Sequence, residues 1–163
     1  MMKTKFTFKA LLIPLLLILI LYLIILIIPE IFITKNFSTP LFPRIFIPTI
    51  LIFSFVLLFF GELRTKCISI TINQNDIFVK KFFGLLTKTH KISEIEGWKY
   101  SHLTGKGGTY EYLYLYKAGT KVLKISQFYH KNYFKVKNHI QRNFKYLGYE
   151  KLSYIDEFKE IFK

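Results

Sequence analysis

At 163 residues the chain has room for one modest folded domain beside any membrane segment. Its formal charge of +14, from 24 Lys and Arg against 10 Asp and Glu, directs it toward anionic surfaces, either membrane or nucleic acid. A single cysteine, Cys67, excludes an intramolecular disulfide and fits a reducing compartment.

Residues Ala10 to Ile28 form a run of 19 uncharged residues, 16 of them Leu or Ile. As a helix it measures about 28 Å, the thickness of a bilayer's hydrocarbon core, and its Leu and Ile favour insertion by roughly 8 kcal/mol. Pro14 falls in the first turns, where its missing N–H costs little. Lys3, Lys5 and Lys9 resemble the basic region of a signal peptide, but the apolar stretch is long and Ile27-Ile28-Pro29-Glu30-Ile31 offers no small-residue cleavage site. A second apolar run, Ile45 to Phe60, reaches about 30 Å when Leu41 to Arg44 are added, with Arg44 snorkelling to the headgroups and Gly61-Glu62 ending the helix. Pro29 to Pro40 is then a short external loop. Basic residues precede the first span and follow the second (Arg64, Lys66), whereas the loop holds only Lys35. The positive-inside rule therefore predicts a multi-pass protein of the inner (plasma) membrane with both termini cytoplasmic, its spans at about 10–28 and 42–60 in a hairpin of residues 1–61.

From Glu62 onward the pattern alternates. Five basic residues and one acid precede Glu62, so the remainder carries 19 bases and nine acids, or +10. Cys67 to Ile72 puts three isoleucines on one face, a half-buried strand, followed by the turn Asn73-Gln74-Asn75-Asp76. Strands are predicted over Ile77–Phe83, Leu86–Lys91 and Trp98–Leu103, with a single helical turn from Ser93 to Gly97 whose Ser93 and Glu96 have capping-box spacing. Gly105-Lys106-Gly107-Gly108 is a hairpin loop; it lacks the spacing of a phosphate loop. Tyr110–Lys117 and Lys121–Ile125 form the clearest hairpin, joined by Ala118-Gly119-Thr120. Ser126 is a candidate N-cap for an amphipathic helix carrying Tyr133, Val136, Ile140, Phe144 and Leu147 on one face, with Gly148 as its stop. A short helix, Tyr154 to Phe162, follows Ser153.

The order of two spans, strand, turn and strand, then hairpin and closing helix, is similar to that of bacterial membrane proteins carrying a pleckstrin-homology-like (PH-like) domain. The residues carrying the likeness are Ile77-Phe78-Val79-Lys80, Phe83-Gly84, Ile92-Ser93-Glu94-Ile95-Glu96-Gly97-Trp98 and Lys124-Ile125-Ser126. The resemblance implies an α+β chain: a transmembrane hairpin, a PH-like antiparallel barrel or sandwich over 62–148 closed by an amphipathic helix, and a short C-terminal helix at 149–163. It also implies a binding or assembly module rather than an enzyme.

Lys80, Lys81, Lys88 and Lys91 lie on adjacent strands and could form one basic patch for anionic headgroups. In eukaryotic PH domains the basic residues that cradle inositides surround the first strand–strand loop, which here is Asn73 to Asp76 and holds no base. Tyr110, Tyr112, Tyr114 and Tyr116 share one face of a strand, either as a stacking platform for bases or as a packed aromatic ladder; the opposite face, with Leu113 and Leu115, could equally be the core. His90, His102, His130 and His139 have no metal-ligand spacing, and no nucleophile–His–acid arrangement or carboxylate pair suggests catalysis. No metal, cofactor or catalytic residue is expected. The expected function is a membrane-held binding module for an anionic lipid or a membrane-protein partner. A tethered nucleic-acid binder and a membrane-bound inhibitor or immunity-type protein are the alternatives.

Overall fold

The computed structural model describes residues 1–33, 40–105 and 108–160. Two apolar helices lead. α1 (Phe8–Ile33) continues through Pro14 and Pro29, and α2 (Leu41–Val56) ends in a π-helical turn, Leu57–Leu63. Both are long and apolar enough to cross a membrane, over Phe8–Phe32 and Leu41–Leu63. The helix α1 thus takes in Ile31 and Phe32, which the sequence assigns to the loop; residues 34–39 of that loop lie outside the described ones.

The remainder is a mixed α+β body of two four-stranded sheets, with no closed barrel among the described residues, so of the expected barrel or sandwich the barrel is not formed. In the first sheet β1 (Met2–Lys3), β2 (Ser69–Ile72), β3 (Asp76–Lys81) and β4 (Leu86–Lys91) lie antiparallel in that order. The second sheet has the order β7-β6-β5-β8, built from β5 (Gly97–Gly105), β6 (Gly108–Lys117), β7 (Thr120–Ser126) and β8 (Tyr146–Tyr149). Both sheets share one core with α3 (Tyr133–Asn143). Ile68, Ile70, Ile72, Ile77 and Val79 meet Trp98, Leu113, Leu115, Ile125, Val136 and Ile140 there. The alternation of Cys67 to Ile72 therefore does what period two predicts: the isoleucines are buried and Ser69 and Thr71 are not. The turn of the β6–β7 hairpin uses Ala118 at φ 47° and Gly119 at φ 69°, the left-handed pair that a tight hairpin needs.

The closing helix is shorter than its periodicity suggests. Ser126 ends β7 and caps nothing at the start of α3; Asn132 precedes that helix, spending its side chain on the N-terminal segment instead. After Asn143 the chain turns extended at Phe144, and Tyr146 to Tyr149 join β5 as a parallel strand. That strand can seat because Gly97 has no side chain: a Cβ there would stand 2.2 Å from the Lys145 carbonyl oxygen. Glu96 makes no capping box either, since its carboxylate accepts from the Gly119 N–H. The last helix, α4 (Tyr154–Glu160), begins after Ser153 as expected, residues 161–162 of the expected helix lying outside the described ones; the Asp156 N–H donates to Ser153 Oγ and the Ser153 N–H to the Asp156 carboxylate.

The N-terminal lysines are not a bare tail. Met2 and Lys3 pair with Ile72 and Thr71, and Thr4 is buried with its N–H donating to the Ile70 carbonyl. Asn132 clasps the same segment, accepting from the Lys5 N–H at 2.7 Å and donating to the Lys3 carbonyl at 2.8 Å. A second apolar cluster, including Ala10, Leu17, Leu63, Cys67 and Tyr129, joins the bases of α1 and α2 to this body.

Two histidines are enclosed. His90 on β4 is buried, and its Nε2 has no hydrogen-bond partner among the described residues. The His130 ring lies between the carbonyls of Ser126 and Ile68, 2.8 Å from each. Burial holds both imidazoles below their ordinary pKa, helped at His90 by Lys88 and Lys117 and opposed at His130 by the two carbonyls, which favour the protonated ring. The unfolded chain therefore binds more protons once the pH drops below about 6.5. The stability contributed by each ring is complete above that value and is lost as pH falls through the folded-state pKa. Chemical denaturation between pH 7.5 and 5 should show stability falling by up to about 1.4 kcal/mol per pH unit for each ring, with a shallower slope in His90→Leu.

Candidate functional site

The tyrosine row settles into the protein. Leu113 and Leu115 face the main core, while Tyr112, Tyr114 and Tyr116, at 5%, 0% and 7% exposure, are buried on the other face with Leu152. Strand register explains what covers them. Lys99 and Lys124 stand opposite Tyr114, Lys121 opposite Tyr116, and Ser101 and Ser126 opposite Tyr112. The ammonium groups lie over the rings: Lys121 over Tyr114 at 4.4 Å, Lys124 over Tyr112 at 4.6 Å and Lys99 over Tyr116 at 4.8 Å. Ser101 Oγ meets Tyr114 Oη at 3.1 Å. The row is a packed ladder with cations upon it, not an open platform for bases. Tyr110, at its end, is half-buried edge-on against Phe128.

Beside this face opens a cleft of about 900 Å³. Its walls come from the end of the second apolar helix (Arg64, Thr65), the end of β3 and its turn (Lys81, Phe82), Leu86, and the edge strand β7. Five cations line it, Arg64, Lys81, Lys99, Lys121 and Lys124, against one carboxylate, Glu150. Lys121 pairs with Glu150 at 2.5 Å, and Lys124 is 3.4 Å from Glu157. Burial, then the like charges of Arg64 and Lys88, hold the Lys81 ammonium below the ordinary lysine pKa. The cleft is therefore electropositive at a cost to its own cations, as befits a place that receives an anion.

Of the four lysines singled out from the sequence, Lys81 alone lines this cleft. The β3–β4 register sets Lys81 and Lys88 on one face and Lys80 and Lys91 on the other, so the four do not form one patch. Arg64, Lys99, Lys121 and Lys124 escaped sequence reasoning. The signal for two of them lay in the period-two spacing of Lys99 with Ser101 and of Lys124 with Ser126, which sets cations beside the tyrosines once the strands pair.

Other reactive groups are enclosed or dispersed. The Cys67 thiol is buried, and burial followed by the nearby Glu62 pushes its pKa up to about 12, which leaves it a poor nucleophile. His102 lies 3.6 Å from Glu111, whose carboxylate also accepts from Tyr133 and pairs with Lys137; His139 is half-buried on α3. Among the described residues no three His, Cys, Asp or Glu side chains converge as a metal site. Comparison with protein-family models, curated proteins and solved structures finds no match to this chain.

Proposed function

We propose that this protein is a non-catalytic binding module of the PH-like kind, held on the cytosolic face of the plasma membrane by α1 and α2, where its basic surface engages an anionic lipid or membrane-protein partner. One observation carries the reading: two long apolar helices are left uncovered by the rest of the chain, with only 6% and 11% of their most apolar stretches buried. A core helix of a water-soluble protein would be mostly covered. Exposed side chains such as Leu15, Ile18, Ile25, Ile45 and Phe53 need an apolar solvent, and a bilayer supplies one. Removal of α1 as a signal peptide would take β1 and Thr4 out of the first sheet. That same pairing holds the N-terminus beside the basic body, which supports a hairpin with both ends on one side.

The test is retention and sidedness of the full chain. Expressed protein should stay in the membrane through alkaline carbonate washing. A Cys67→Ser chain carrying Lys88→Cys, at an exposed position of β4, should react with a membrane-impermeant maleimide in inverted vesicles and not in intact cells. Release by carbonate, or labelling from outside, would sink the proposal.

A further inference from the structure

The geometry points to the cleft between the two sheets as a binding site for a phosphorylated anion, supplied by the headgroup of a lipid in the leaflet that holds α1 and α2. This inference rests on the membrane reading above. Three observations converge on it. First, cations arrive from separate parts of the chain: Arg64 after α2, Lys81 from β3, Lys99 from β5, and Lys121 and Lys124 from β7, the last two against the carboxylates of Glu150 and Glu157. A tetrahedral phosphate can take such donors from several directions at once, and its charge would offset the burial, and after it the like charges, that depress Lys81. Second, the cleft adjoins the end of the second apolar helix. Arg64 and Thr65 line it directly, and the Phe82 ring, another wall, stacks on Phe59 of that helix at 5.3 Å. Third, the tip of the β3–β4 hairpin is apolar and open. Leu85 is 87% and Leu86 58% exposed, Leu86 also lines the cleft, and Lys80, Lys81 and Lys88 flank the tip. Leucines at a tip with lysines behind it match the boundary between acyl chains and headgroups. The tip would bring the cleft's mouth to the depth of lipid phosphates.

The experiment uses the full chain in a neutral maltoside detergent, titrated calorimetrically with dihexanoyl phosphatidylglycerol, with dihexanoyl phosphatidylcholine and with inorganic phosphate. Saturable binding of the phosphatidylglycerol, stronger than that of either comparison ligand, is expected. The Lys81→Ala/Lys99→Ala chain should bind it about 30-fold more weakly. The Lys80→Ala/Lys91→Ala chain loses the same charge outside the cleft and should differ from the parent by less than about threefold, because exposed charges are screened. Where the first double variant melts below the parent, Lys81→Gln alone serves in its place. Equal weakening in both double variants, or no saturable binding of any ligand, overturns the site. Inorganic phosphate binding as tightly as the lipid overturns the lipid assignment in favour of a soluble phosphate. A protein that resists carbonate with the expected sidedness yet fails to bind defeats this inference alone, whereas loss of membrane retention defeats the reading beneath it.

Discussion

Thr4→Pro is expected to destabilise the folded body by about 4 kcal/mol, a large share of a small domain's total. Thr4 is 5% exposed, and three contacts tie it to one residue of β2. Its N–H donates to the Ile70 carbonyl at 2.9 Å, its hydroxyl oxygen accepts from the Ile70 N–H at 2.8 Å, and the hydroxyl approaches the same carbonyl at 3.4 Å. Proline removes both the N–H and the hydroxyl, leaving Ile70, itself 1% exposed, with a backbone donor and acceptor unmatched. Lys3, Lys5 and Lys9 are untouched, so the signal for orientation in the membrane stays as it is. Urea denaturation of the full chain in detergent, followed by Trp98 fluorescence, reads the loss. A parent-like midpoint would mean that the N-terminal segment does not belong to the sheet, as a processed leader would not.

That strand also shows where sequence reasoning stops. The β6–β7 hairpin, the burial of Ile68, Ile70 and Ile72, and the bounds of β4 are legible because period-two alternation and turn residues lie within a few positions of each other. Met2 and Lys3 have no such local signal. Their partners are Ile72 and Thr71, far along the chain, and the lysines around them suit a membrane orientation signal equally well. The helix after Lys131 was half legible. Tyr133, Val136 and Ile140 are buried at the predicted spacing, but the same spacing runs on through Phe144 and Leu147, where the open edge of β5 takes the chain instead. Edge pairing is a tertiary opportunity that a periodicity count cannot weigh. The cleft was less legible still: Lys81 could be named as a basic candidate, but its neighbours Arg64, Lys99 and Lys121 come together only when both sheets and the end of the apolar helix are in place.

Where that helix meets the body, Lys66→Met should cost about 2–3 kcal/mol, less than a fully buried pair would, because Glu62 and Glu157 are half-buried. Lys66 is 8% exposed and lies 2.7 Å from Glu62 and 3.1 Å from Glu157. Burial works against its charge, yet Glu62, Tyr112 and Glu157 outweigh that and raise its pKa above the ordinary lysine value. Its contribution is therefore complete below the unfolded-state pKa and is lost only in strong alkali, well outside the range in which the buried histidines act. Methionine keeps the stem and removes the ammonium. Glu62 retains the Tyr129 hydroxyl at 2.6 Å and Glu157 retains Lys124 at 3.4 Å, but Glu62 loses the Lys66 ammonium and Glu157 the nearer of its two cations. Adding Glu62→Gln and Glu157→Gln to Lys66→Met should restore most of the loss, since the penalty belongs to the stranded carboxylates rather than to a missing contact. Lys117→Met removes a pair of similar length, 2.6 Å to Glu94, whose side chains are 39% and 40% exposed; its urea midpoint should match the parent's. Because Glu157 belongs to α4, Lys66→Met should also loosen that helix, read as faster protease cleavage near Tyr154. Cleavage and midpoint that both stay at the parent's values would show that the pair carries no stability. The union of helix base, sheet and α4 would then rest on apolar packing alone.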